Sequence, residues 1–285
     1  MTVRKEATLK GQWYPETREA CLKEVNGFLQ ERWIKEPEGD SFIAGIVPHA
    51  GWFFSGSIAC RVIRSLVSGE TPDLIVLFGH HLGPYDPTCV MSEGAIETPF
   101  GDLDVHDGFA SALSEFPFIR SDMATFMKPE NTLELQLPFV RHFFGDTPVC
   151  LIAPAPNNHA EDVGRAVVTT ARELGLTIRI IGSTDLTHYG PNFGFTPKGK
   201  GDEAREWVEK ENDRQAVGAM VDVEPTYFTR AALKNSNACC AGAVAATLAA
   251  VRSMGIHQGQ QIAYTNSYRK SPSESFVGYA GVLFG

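Results

Sequence analysis

Apolar residues in this chain gather in short runs separated by longer amphipathic stretches. Residues 41–47 (SFIAGIV, ended by Pro48), 73–78 (DLIVLF), 149–153 and 177–182 (TIRIIG) are continuous apolar runs of strand length. Helical spacing predicts helices over residues 56–67 and 160–174. It predicts another over 130–144, with Leu133, Leu137, Val140 and Phe144 on one face and a kink at Pro138. Residues 202–221 and 225–234 predict charged surface helices, and 238–254 an Ala-rich helix that packs closely. Residues 260–267 and 276–283 predict closing strands, the second with a period of two. Continuous apolar strands separated by helices indicate a central sheet covered on both faces. Residues 93–105 and the last two strands suggest antiparallel additions. The polar stretch 191–202 reads as a loop, because strong apolar segments continue on both sides. The pattern predicts one α/β domain over residues 1–285, with a mixed, mostly parallel sheet flanked by helices.

Composition narrows this picture in two respects. The 34 acidic and 25 basic residues leave a net charge of −9, so attraction to a phosphate backbone or anionic lipid is not expected. No nucleic-acid or membrane partner follows, and the charge serves solubility. The opening MTVRKEATLKGQWYPE has no apolar core or small-residue cleavage site, and no apolar run reaches the roughly 20 residues that span a bilayer. Six cysteines occur without a CxxC pair, which predicts reduced thiols in the cytoplasm.

The strand ends collect the chemistry. In open α/β sheets, ligands bind beyond the carboxyl ends of the strands. The first strand is followed by Pro48-His49-Ala50-Gly51-Trp52, the second by Gly79-His80-His81-Leu82-Gly83, and the fourth by the run Ser183 to Gly190 (STDLTHYG). Imidazoles from distant segments therefore meet at one sheet edge, and imidazole nitrogen is a donor suited to Zn, Cu, Fe and Ni. Only one of His80 and His81 need face the site, since successive side chains leaving a strand point opposite ways. Asp185 and Cys239 are the further donor candidates. Cys239 stands where a helix begins, a position that favours the thiolate. His106, His142, His159 and His257 read as ordinary loop or helix residues, and the Cys239–Cys240 pair also suits plain packing under a small-residue helix. No phosphate loop, GxGxxG, HExxH or GxSxG elbow occurs.

The segments GIVPHAGWFFSG, FGHHLGP, ETPFGDL, ENTLELQLPF, GSTDLTHYG, ACCAGAVAA and SYRKSPSESFVGYAGVLF resemble the MEMO-like family. That group includes the AmmeMemoRadiSam system protein B type and is similar in fold to the class III extradiol dioxygenases, the LigB-like proteins. The resemblance implies a metal site of His49, His81 and Cys239. It implies an acid/base role for His188 with Asp185 beside it, and a supporting role for Glu134. His80, Trp52 and Tyr189 are expected near the cleft, and Phe53 is a further candidate for its aromatic wall. The family cysteine is usually followed by glycine. Here Cys240 follows, so either thiol is available to the site. The family also often has histidine where Asn131 stands.

Ring-cleaving dioxygenases use two histidines and a carboxylate on iron, whereas a thiolate also suits copper or zinc. The expected chemistry is oxygenase-type or redox, with iron first and copper or zinc as alternatives, on an unidentified small substrate. Other expected classes are a binding module for a peptide or small ligand in the same cleft, and a zinc hydrolase. Radical-SAM neighbours associated with the family make a protein partner a further expectation.

Overall fold

The computed structural model describes residues 3–67 and 69–285, so the first two residues of the opening segment lie outside it. The apolar runs form the longer strands of one nine-stranded sheet. Its strands are β1 (Ala44–Val47), β2 (Leu74–Phe78), β3 (Cys89–Val90), β4 (Arg120–Ser121), β5 (Val149–Ala153), β6 (Ile178–Ser183), β7 (His188–Tyr189), β8 (Gln260–Asn266) and β9 (Phe276–Phe284). The order is β7-β9-β1-β6-β2-β5-β3-β4, with β8 also pairing β9. The central strands β1, β6, β2 and β5 are parallel. β9 joins β1 antiparallel, and β3 joins β5 antiparallel. The result is a mixed α/β sheet covered on both faces, as the continuous apolar strands require.

Alternate residues of the central strands feed two separate cores. Val47, Ile75, Leu77, Leu151 and Ile181 pack on one face, with the helix Arg18–Gln30 and with α1 (Ser57–Ser65) and α2 (Leu137–Phe144). Ile46, Val76, Ile152 and Ile180 pack on the other. That face is covered by α3 (Ala160–Leu174), α4 (Asp213–Val221), α5 (Pro225–Asn235) and α6 (Ala241–Ser253). No helix among the described residues is long and apolar enough to cross a membrane. All six cysteines are free.

Several expectations change. The helix over 130–144 divides into Asn131–Glu134 and α2. Glu130 caps the first piece, and Pro138 sits in the first turn of the second, where its missing N–H costs nothing. The helix over 202–221 is likewise interrupted by a π-helical turn, Val208–Asn212. Ala95–Ile96 and Leu103–Asp104 do not extend the main sheet. They form a separate three-stranded sheet with Arg4–Lys5, an early strand the pattern did not suggest. β9 is buried along its whole length rather than on one face, because β1 and β8 flank it and helices cover it.

Candidate metal centre

Strands β1 and β2 both pair in parallel with β6, so the segments that leave their carboxyl ends emerge side by side. β1 runs into His49, β2 into His80 and His81, and β6 into residues 184–188. Cys239 and Cys240 arrive from the opposite direction, at the start of α6. A Cβ on Gly242 would lie 2.0 Å from the Pro154 carbonyl oxygen, so only glycine lets the helix come this close to the end of β5.

His49 is buried and held from every side. Its N–H donates to Asp185 Oδ1 (2.7 Å), and its Nδ1 lies 2.9 Å from Ser183 Oγ. Its carbonyl accepts from Asn131 Nδ2 (3.1 Å), and the preceding Pro48 carbonyl accepts from Gln136 Nε2 (2.9 Å). This leaves Nε2 facing the Cys239 sulfur at 3.1 Å. Cys239 and Asp185 fix each other: the Cys239 N–H donates to the Asp185 carbonyl (3.2 Å) and the Asp185 N–H donates to Sγ (3.3 Å). The Cys240 N–H donates to Thr184 Oγ1 (3.2 Å).

His81 completes the group from the exposed side, its ring edge-on to His49 with centroids 5.0 Å apart. His80 turns away. Its φ of 72° is in the left-handed region, where a non-glycine residue is strained, and its N–H donates to Thr132 Oγ1 (2.6 Å). Its ring packs edge-on against Phe126 at 5.1 Å. That backbone twist puts His81, and not His80, against His49. The donor atoms of His49, His81, Cys239 and Cys240 all lie within 4.8 Å of one another, so these residues could hold a metal ion.

The electrostatics agree with that grouping. Burial works against a charge on His49, but the Cys239 sulfur and the Asp185 carboxylate outweigh it and raise its pKa to about 9. Burial also opposes ionisation of Cys239, yet Cys240, His49 and His81 together hold its thiol well below the ordinary value. Burial and the neighbouring Cys239 push the Cys240 thiol well up. Burial raises Asp185. Two openings reach the group. A polar one of about 390 Å³ is lined by His80, His81, Lys128, Glu130 and Asn131. A more apolar one of about 540 Å³ is lined by Cys239, His188, Leu186, Phe193, Phe195 and Leu233.

Comparison with known proteins gives the chain its family. A family model described as Memo-like protein matches residues 5–283. The chain belongs to the Memo-like protein family. A MEMO1 family protein of Methanopyrus kandleri is 31% identical over 286 residues, covering 96% of each chain. One of Thermococcus kodakarensis is 29% identical over 289 residues, covering 96% of this chain and 97% of that one. A solved structure, of an uncharacterized protein from Escherichia coli K12, superposes with a TM-score of 0.48 at 14% identity over 85% of this chain and 99% of that one.

Within this Memo-like chain the candidate residues divide. His49, His81 and Cys239 come together, and His188 lines the opening beside Cys239. Asp185 does not orient the His188 ring. Its carboxylate is committed to the His49 N–H, while His188 Nδ1 faces the Leu186 carbonyl at 3.2 Å. Glu134 bonds to none of the group's residues. It ties down the amino-terminal segment, accepting from Thr8 Oγ1 (2.8 Å), the Leu9 N–H (2.6 Å) and the Tyr14 hydroxyl (3.2 Å). Trp52 is core rather than cleft wall, stacked on Phe139 at 4.1 Å with its Nε1–H donating to the Leu135 carbonyl. Phe53, 63% exposed, lies under Lys270. Tyr189 stacks on Phe276 and donates to the Gly199 carbonyl, beside a different cavity of about 440 Å³.

The residues that brace the group, Ser183, Thr184, Gln136, Thr132 and Asn131, were given no such role by sequence reasoning. Each is an ordinary polar residue whose role depends on a partner far away in the chain. The one available signal was Asn131, already singled out as a departure from the family pattern.

Proposed function

We propose that this chain is a metal-dependent oxidoreductase of the dioxygenase-like type, acting on a small substrate. His49, His81 and Cys239 would hold the ion, with iron or copper suited to the chemistry. The observation that carries this reading is the meeting of a buried, fully braced imidazole with a sulfur 3.1 Å away and a second imidazole at 5.0 Å. Two imidazoles and a thiolate match the donor preferences of late first-row ions better than those of Mg or Ca. Such an ion, when bound, would supply electron transfer to or from substrate and oxygen.

The chain's own residues supply the rest. Ser183 at Nδ1 orients the His49 ring so that Nε2 faces the site, and Asn131 and Asp185 fix its backbone. His188 lines the opening that reaches Cys239, where its imidazole is available to accept and return a substrate proton. Phe193, Phe195 and Leu233 line the same opening and would offer an apolar surface to part of the substrate. The free thiols support the cytoplasm as the place of action.

The test is oxygen consumption by protein loaded anaerobically with Fe(II) or Cu(I), across a panel of small aromatic and amide compounds. Oxygen uptake that depends on a compound and is lost in His188→Ala supports the reading. Compound binding without turnover, insensitive to His188→Ala, would instead support a binding module. Amide hydrolysis by the zinc-loaded form would support a hydrolase.

A further inference from the structure

We infer that Cys240 is a second sulfur donor to this centre, making it a two-imidazole, two-thiolate site. The inference rests on the metal-site reading above and deepens it. Cys240 stands where the family's pattern has glycine, so it belongs to this chain and not to the general resemblance.

Geometry carries it. The Cys239 and Cys240 sulfurs are 3.9 Å apart. Two thiolates on one tetrahedral ion, each at about 2.3 Å, lie about 3.8 Å from each other. Adjacent cysteines in an extended segment would diverge, but the chain bends at Cys239 just before α6. The Cys240 N–H is anchored on Thr184 Oγ1, and Gly242 is pressed against the Pro154 carbonyl. The Cys240 sulfur also has no competing partner: among the described residues its one hydrogen-bond contact is Cys239. Its distance to every other donor in the group is within 4.8 Å, so modest contraction around an ion brings all four to bonding range.

The consequence is selectivity. A second soft donor shifts preference toward Cu(I) and Zn(II) and away from oxygen-seeking ions. Four protein donors close a tetrahedral ion completely. The same four leave two positions open on a six-coordinate iron.

The experiment is a sulfur count by X-ray absorption on the full chain loaded with one equivalent of Zn(II) under reducing conditions. Two sulfur scatterers per zinc are expected in the wild type, and one in Cys240→Ala. With Co(II) as the probe, the thiolate-to-metal absorption should fall by about half in Cys240→Ala, since one of two sulfur ligands is gone. Cys240→Ser, closer in shape, should give the same count if the alanine variant folds poorly. Affinity alone would not decide, because losing a hydrogen-bond partner of a ligand already costs about 10- to 100-fold. One sulfur per zinc in the wild type would overturn the inference and leave Cys240 a packing thiol. Failure of the wild type to bind zinc or cobalt would overturn the metal-site reading beneath it.

Discussion

The two halves of the candidate metal centre are built differently. His49 and Cys239 belong to a fixed half. They sit on the ends of β1 and α6, are tied to residues following β6, and have their backbone groups hydrogen-bonded. A second buried network lies behind them. Asp213 Oδ1 accepts from the Thr187 N–H (3.0 Å), Asn212 Nδ2 donates to Thr187 Oγ1 (2.9 Å), and Asn237 Nδ2 donates to the Asn212 carbonyl (2.9 Å). His81 belongs to an open half. It is exposed, on a loop, and is aimed by one strained residue and one hydroxyl, His80 and Thr132. A braced pair thus faces a donor carried on an exposed loop. The fixed half is a matter of folding, and the open half a matter of binding.

Substitutions can break that contrast. His49→Ala should have the largest effect, abolishing metal binding and also destabilising the metal-free chain by about 1–3 kcal/mol, because buried partners lose their contacts. Metal analysis and denaturant unfolding check both. His81→Ala should abolish tight metal binding equally but change metal-free stability by less than about 0.5 kcal/mol, as for an exposed side chain. Equal destabilisation by the two variants would dissolve the distinction. Thr132→Val should be smaller: about 1 kcal/mol from the lost acceptor for the His80 N–H, and roughly tenfold in metal affinity from a misaimed His81.

A pH dependence probes the buried network behind the fixed half. Burial lifts Asp213 from 3.8 to about 7, against the pull of hydrogen bonds from Thr187 and Tyr264. The folded chain thus holds a proton in a range where the unfolded chain has released it. The stabilisation from this proton is complete below the unfolded value of 3.8 and is lost as pH rises through about 7. Urea midpoints of wild type and Asp213→Asn measured across that window should differ in slope, with the variant flatter. Parallel slopes would show that Asp213 does not titrate there.

Much of this was legible in the chain itself. Apolar runs of strand length located the four parallel strands within a few residues, because burial on both faces leaves a local signature. That His49, His81 and Cys239 come together was legible through their motifs. The small strands were not: Arg4–Lys5 and Arg120–Ser121 are two residues each, and only distant partners make them strands. The same limit explains Glu134 and Trp52. Their motifs placed them near the site in sequence, whereas hydrogen bonding to the amino-terminal segment and stacking on Phe139 decided where they went. Asp185 was legible as a neighbour of the group, but that its carboxylate takes the His49 N–H depends on backbone geometry.

The most direct test of the metal centre is anomalous scattering at the Fe, Cu and Zn edges from crystals of protein purified without chelator. The expected result is one strong peak between His49 Nε2, the His81 ring and Cys239 Sγ, lost in crystals of Cys239→Ala. A strong peak elsewhere, or one that persists in Cys239→Ala, would contradict the assignment.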